Sequence, residues 1–383
     1  MRIVQLTTDA REHYKDYSNP MPFFGTAPEA LLQGFAHLPD VEVHVVSCTR
    51  TAMKSPNKLA PNTYFHSLLV PKIGWMTTAY QGCIRAVRRK LCEIQPDIVH
   101  GQGTERDCAI SAAFSGFPNV VTIHGNMAEL SRLFRARIGS YHWLAGWLED
   151  FALPRTAGVF CNSAYTESLV RPRAERTWRV PNPLRSDFFE KLPEDSTRVS
   201  PPILLNIGVI TERKQQVELL DVVRTLEQQG LKFQFQFVGD VNPVTPYGAA
   251  FLSKIKPLEI KGCARYLGPL PTAELIRQFD AASALVHFPS EEAFGLVVAE
   301  ALARNLKLFG ARLGGIQDIV RDVPETELIE ARDWRGLTEA LGAWLREGRS
   351  VNHDSGEVMR KRYHPAVIAR RHVEIYREVL SAG

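Results

Sequence analysis

Two glutamates and a phenylalanine–glycine pair mark the segment of this chain best suited to chemistry. In Ser290-Glu-Glu-Ala-Phe-Gly-Leu-Val-Val-Ala-Glu300, seven residues separate Glu292 from Glu300. On one continuous α-helix eight positions turn about 800°, roughly 80° out of line. The pair makes better sense if Glu292 sits in a loop and the helix begins near Gly295. The free N–H groups of a helix start can then meet an anion, and Gly295 allows it to come close. Glu300 follows about 8 Å deeper, at about 1.5 Å per residue. That offset fits a diphosphate at the helix start with a ribose further along. The alternative is a surface helix carrying two solvated glutamates.

A cationic element lies upstream. Leu204-Leu-Asn-Ile-Gly208 reads as a strand ending in glycine, and Arg213-Lys214 precedes a helical stretch. Cations at a helix start oppose the helix dipole unless an anion joins them. No Asp-x-Asp motif and no spaced His/Cys cluster offers a metal site, so a leaving diphosphate would have to meet fixed positive charge. In the first half of the chain, Val120-Val-Thr-Ile-His124 reads as a strand ending in histidine, and Phe24-Gly25-Thr26 precedes another helix.

The sequence resembles glycosyltransferase family 4 (glycosyl transferases group 1), the large retaining group of the GT-B fold. The resemblance rests on Pro289-Ser290, Glu292-Ala-Phe-Gly295 and the second glutamate, Glu300. It also rests on Gly208 followed six residues later by Lys214, on the strand-end His124, on Val159-Phe-Cys-Asn-Ser163, and on Arg179-Val-Pro-Asn182. It covers most of the chain and is stronger in the C-terminal half. It implies Glu292 at the donor sugar and the backbone of Phe294, Gly295 and Leu296 along sugar and phosphate. It further implies Glu300 on the ribose hydroxyls, Gly208, Arg213 and Lys214 around the donor, and His124 near the reacting sugar. Gly25 and Thr26 would form a loop at the reacting centre. Departures are Val209 at the usual arginine, for which Arg213 could substitute, and Pro183 after Asn182. Asn305 and Lys307 also stand where Gly and Pro are common, and Gln317-Asp318 where Pro-Glu is common. The implied reaction moves a hexose from a nucleoside diphosphate, UDP for preference, to a hydroxyl of a glycan or lipid-linked acceptor, with retention and without metal or cofactor. Rival readings are another GT-B enzyme, such as a sugar epimerase or phosphorylase, and a non-catalytic nucleotide- or glycan-binding scaffold. An NAD enzyme is disfavoured because the first turn, Leu6-Thr-Thr-Asp-Ala10, lacks Gly-x-Gly-x-x-Gly.

The elements that must position these residues follow from hydrophobic pattern. Apolar runs at 42–48, 97–100, 119–124, 158–162, 203–208, 233–239, 284–289 and 307–310 suit strands buried on both faces of a parallel sheet. Amphipathic stretches at 215–229 and 334–347 alternate with them, and a last helix covers 365–380. The fold class expected is α/β: GT-B, two facing Rossmann-like domains with parallel sheets and an interdomain cleft. The Pro-rich break sets the domains at 1–182 and 203–364, a linker at 183–202, and a C-terminal helix, 365–383, packing back on the first domain.

Composition excludes other classes. A net charge of +4 over 383 residues, with 45% hydrophobic and 23% charged residues, gives no argument for nucleic acid. No run of about 18 apolar residues appears, and the chain starts on a strand rather than a signal peptide. The expected location is cytoplasmic. Lys72, Arg85, Arg88, Arg89 and Lys90 run without an acidic neighbour; they read as a solvated helix face, or as weak peripheral contact with an anionic membrane or acceptor. The six cysteines, none in a Cys-x-x-Cys pair, read as reduced core residues.

Overall fold

The computed structural model describes residues 1–190, 200–348 and 354–382. The chain divides into two compact units, one made of Met1–Ser186 with Tyr363–Gly383 and the other of Asp187–Arg362. The sequence-based limits lie at 182, 202 and 364, and residues 191–199 of the linker they enclose fall outside the described residues.

The first unit holds an eight-stranded sheet: β1 (Arg2–Leu6), β2 (Glu42–Thr49), β3 (Lys58–Ala60), β4 (Thr63–Leu69), β5 (Ile98–Gln102), β6 (Asn119–Ile123), β7 (Val159–Cys161) and β8 (Thr177–Arg179). Its order is β3-β4-β2-β1-β5-β6-β7-β8. All pairings are parallel except β3 with β4. The antiparallel edge is a departure from the expected wholly parallel sheet. β4 does not stand out as an apolar run, because its sequence, TYFHSLL, interleaves polar residues and is only partly buried. β1 shows why a central strand reads as continuously apolar. Ile3 packs in one core with Val43, Phe35 and Ile368, and Val4 packs in another with Val46, Val87 and Leu91. Successive side chains point to opposite faces, and both faces are covered.

The C-terminal helix Pro365–Ala382 packs on helix Thr26–Ala36 in this unit. Gly34 permits the approach, since a Cβ there would lie 2.2 Å from the Pro365 carbonyl oxygen.

The second unit holds six parallel strands: β9 (Ile203–Ile207), β10 (Gln234–Val238), β11 (Ala264–Gly268), β12 (Ala284–His287), β13 (Lys307–Arg312) and β14 (Thr326–Glu330). The order β11-β10-β9-β12-β13-β14 reverses direction between β9 and β12. Such a switch point, at the carboxyl ends of the strands, is where open α/β sheets bind ligands. In the first unit the switch lies between β1 and β5. No described helix is long and apolar enough to cross a membrane.

Candidate functional site

β12 ends at His287, and the chain then runs through Phe288-Pro-Ser-Glu-Glu-Ala-Phe before the helix Leu296–Ala303 begins. Glu292 therefore lies in the loop and Glu300 on the helix. Gly295 caps that helix with φ +100°, a left-handed conformation that strains any side chain. Glu292, Phe294 and Glu300 are all buried.

The second contributor is the loop after β9. Gly208 has φ +151°, a conformation side chains rarely adopt, and the Lys214 stem runs beside it, 3.7 Å from where a Cβ would stand. Lys214 Nζ donates to Glu292 Oε2 at 2.5 Å, and His287 Nε2 meets the same oxygen at 2.9 Å. Burial opposes ionisation of Glu292, but the Lys214 charge, the His287 hydrogen bond and Arg213 together hold its carboxyl far below the usual range. Burial, with Lys214 nearby, lowers His287 in turn, so a neutral imidazole donates to a carboxylate. Among the described residues no hydrogen bond occupies Glu292 Oε1. The site thus presents a carboxylate with one oxygen held by Lys214 and His287 and the other without a hydrogen-bond partner among the described residues.

Arg213, the residue that could substitute for an arginine at Val209, is engaged with the neighbouring loop. Its Nη1 donates to the Glu291 carbonyl at 3.0 Å and to Glu291 Oε2 at 3.3 Å, and Val209 remains 56% exposed. The Arg213 carbonyl also accepts from the Ser290 amide at 2.8 Å. Arg213 therefore ties the β9 loop to the β12 loop.

In the first unit His124 directly follows β6 and is half-buried. Its Nε2 lies 2.9 Å from Gln102 Oε1, and the Asn182 side chain is near enough to favour the protonated ring slightly. Burial lowers its pKa to about 4, so the ring is neutral. Gln102 Nε2 donates to Gln5 Oε1 at 2.7 Å, and Gln5 Nε2 donates to the Tyr376 hydroxyl at 3.0 Å. A buried polar chain thus links His124 to the C-terminal helix. Gly25 caps helix Thr26–Ala36 at φ −60°, where a Cβ would meet only Pro28; the backbone there does not require glycine.

The description "Glycosyltransferase Family 4" matches residues 29–188, and "Glycosyl transferases group 1" matches residues 188–362. The chain belongs to glycosyltransferase family 4. Solved structures agree on a GT-B fold. Sucrose-phosphate synthase from Thermosynechococcus elongatus is similar with a TM-score of 0.77 at 17% identity, covering 100% of both chains. Anabaena HepE in complex with UDP and glucose gives 0.72 at 15% identity, over 98% of this chain and 99% of that one. D-inositol 3-phosphate glycosyltransferase of Corynebacterium urealyticum is 30% identical over 124 residues, 32% of this chain and 29% of that relative. The corresponding enzyme of a Nocardioides species is 40% identical over 78 residues, 20% and 17%. The matched stretches span less than a third of these relatives' length.

Several residues of this family member were not singled out from sequence. His287 is one; its signal was its place at the end of an apolar run. Gly314 and Gly315 are others. A Cβ on Gly314 would lie 1.9 Å from the Glu292 carbonyl oxygen, and the Gly315 amide donates to that oxygen at 3.1 Å, so the pair backs the glutamate loop. Glu105 is a fourth. Its Oε1 accepts from the Gly125 amide at 2.9 Å, bracing the turn after His124. Asn305, where glycine is common, has φ +57°; asparagine is the side chain that best tolerates this region.

The basic run does form an exposed face at Arg85, Arg88 and Arg89 on helix Gln81–Ile94, while Lys90 pairs with Glu93. All six cysteines are free, and Cys92 is exposed rather than in the core. Cys48, Cys83 and Asp107, distant in sequence, come together buried with their ligand atoms within 4.8 Å of one another.

Proposed function

We propose that this chain transfers a hexose from a nucleoside diphosphate sugar, UDP-linked, to a hydroxyl of a glycan or glycolipid acceptor, with retained configuration and without metal. The observation that carries the reading is Glu292, buried and ionised, with one oxygen fixed by Lys214 and His287 and the other unoccupied. A sugar hydroxyl fits Oε1 as donor. The helix start at Gly295–Leu296 faces the diphosphate with backbone N–H groups, and Lys214 adds charge. Glu300 holds the ribose. His124, neutral and held at Nε2 by Gln102, acts as a positioning residue at the acceptor end rather than as an acid. Catalysis then comes mainly from positioning and fixed electrostatics. HepE in complex with UDP and glucose supports the choice of donor, and the named D-inositol 3-phosphate glycosyltransferases support a hydroxyl acceptor.

The test is a panel of nucleoside diphosphate sugars assayed for donor hydrolysis with the wild type and with Glu292→Gln. Hydrolysis of a UDP-sugar that collapses in the variant supports the proposal. Absence of turnover with every donor, together with tight UDP binding, would identify a nucleotide-binding scaffold instead.

A further inference from the structure

One face of the first sheet turns from apolar to polar as it nears its carboxyl edge. Side chains two apart on a strand share a face. On this face Ile3 is followed by Gln5, Ile98 by His100 and Gln102, and Val120 by Thr122, and His124 continues the last alternation. The register pairs Gln5 with His100 and Gln102 with Thr122. Ile3, Ile98 and Val120 belong to the core that also holds Tyr376 of the C-terminal helix. Gln5, His100, Gln102 and Thr122 are all buried, at positions where apolar side chains would pack at lower cost.

The polar side chains form one continuous chain of hydrogen bonds. His100 Nε2 meets Thr122 Oγ1 at 2.7 Å, and His100 Nδ1 meets the Tyr376 hydroxyl. Gln5 Nε2 donates to that hydroxyl at 3.0 Å. Gln102 Nε2 donates to Gln5 Oε1 at 2.7 Å, and Gln102 Oε1 faces His124 Nε2. Tyr376 is the member that comes from outside the sheet, and it lies 371 positions from Gln5.

The chain has a direction. Burial lowers both His100 and His124, and a neutral imidazole has one N–H and one bare nitrogen. An amide oxygen only accepts, so Gln102 Oε1 requires the proton of His124 on Nε2 and leaves Nδ1 bare. Burial raises Tyr376, so its hydroxyl keeps its single proton. Accepting from Gln5, it must donate to His100 Nδ1, which leaves His100 Nε2–H for Thr122. Run the other way, the same chain would put the His124 proton on Nδ1. Asn182 also lies near the ring, but among the described residues Gln102 alone holds it by a hydrogen bond.

We propose that Tyr376 is a positioning residue: its hydroxyl, acting through Gln5 and Gln102, sets the ring tautomer of His124 and so keeps Nδ1 bare to accept from a substrate hydroxyl. This rests on the transferase reading above, in which His124 stands at the reacting sugar. The C-terminal helix then does more than cover the sheet, because it orients a group at the site.

The test uses the full chain with ¹⁵N-labelled histidine, as wild type, Tyr376→Phe and Gln5→Met. Long-range ¹H–¹⁵N correlation at neutral pH separates protonated from bare ring nitrogens, and the His124 signals are assigned by their loss in His124→Ala. Wild-type His124 should show Nε2–H and a bare Nδ1. Both variants should shift it toward a mixture of tautomers. Both should also lower kcat about threefold to tenfold, the scale of one neutral hydrogen bond, with donor KM and UDP affinity unchanged. His372, whose Nδ1 faces the Ile368 carbonyl at 2.9 Å, should keep its tautomer and so report that the helix is docked. Should Tyr376→Phe fail to fold, Gln5→Met breaks the same chain from β1 and decides. An unchanged His124 tautomer in the variants overturns the proposal, whatever happens to kcat. So does a changed tautomer with unchanged kcat. Absence of turnover by the wild type with every donor would count against the transferase reading, and the tautomer measurement would still decide whether Tyr376 controls His124.

Discussion

At the residue scale, the two glutamates should fail differently. Glu300 is buried on helix Leu296–Ala303, and in the proposed role it holds ribose equally in substrate and transition state. Glu300→Gln should raise KM for the donor and weaken UDP in calorimetry while sparing kcat. Glu292→Gln should lower kcat by about 10- to 100-fold, the scale of one charged hydrogen bond, while free UDP still binds. Equal defects in both variants would contradict the division of roles. His124, with its pKa lowered to about 4, stays neutral from about pH 5 upward. His124→Ala should lower turnover without lowering Tm by more than a few degrees, and it should leave the shape of the pH–rate profile above pH 6 unchanged. A lost alkaline or neutral limb in that profile would mean His124 does carry a proton.

At the scale of elements, three loops act as one unit: the turn after β9, the turn after β12 and Gly314-Gly315 after β13. Lys214 and Glu292 share a 2.5 Å ion pair with side chains 15% and 11% exposed. Removing either partner strands the other charge, so their effects cannot add. Lys214→Ala should weaken donor use by about 1.5–3 kcal/mol. The double variant Lys214→Ala with Glu292→Gln should be at least about 1 kcal/mol better than the sum of the single losses. Additive losses in kcat/KM would show that the pair does not work as a pair. The helix limits at 296 and 334 were legible from periodicity and from Gly295. The mutual hydrogen bonding of the loops was not, because Arg213 and Glu291 are 78 positions apart in sequence and no spacing rule connects them.

At the scale of the whole molecule, stability should carry a pH signature from Glu105. Its carboxyl is raised to about 7 from the ordinary 4.5, chiefly by burial, with Glu149 adding like charge and backbone amides opposing. The folded chain therefore binds more protons than the unfolded chain between about pH 4.5 and 7, and this group's contribution to stability falls as pH rises through that window. The loss is on the order of 3 kcal/mol by pH 8. Glu105→Gln should flatten this part of a Tm-against-pH curve; a curve parallel to the wild type would refute the assignment. A second expectation at this scale concerns metals. EDTA should leave transfer intact. Complete loss restored by Mg²⁺ or Mn²⁺ would overturn metal independence, and loss restored only by Zn²⁺ would direct attention to Cys48, Cys83 and Asp107.

By itself the sequence determined the α/β class, the family, and the loop-then-helix placement of Glu292 and Glu300. Each of these is written in short-range order: continuous apolar runs for strands covered on both faces, period 3.6 for helices, and glycine where φ must be positive. The tertiary structure alone decided what each polar group faces. It set His287 against Glu292, committed Arg213 to Glu291, held His124 at Gln102, and brought Gln5 and His100 to the Tyr376 hydroxyl. Parallel strands joined by crossovers bring together carboxyl ends that lie dozens of residues apart. Which side chains then meet depends on sheet order and register, and these are set by long-range packing rather than by any local pattern.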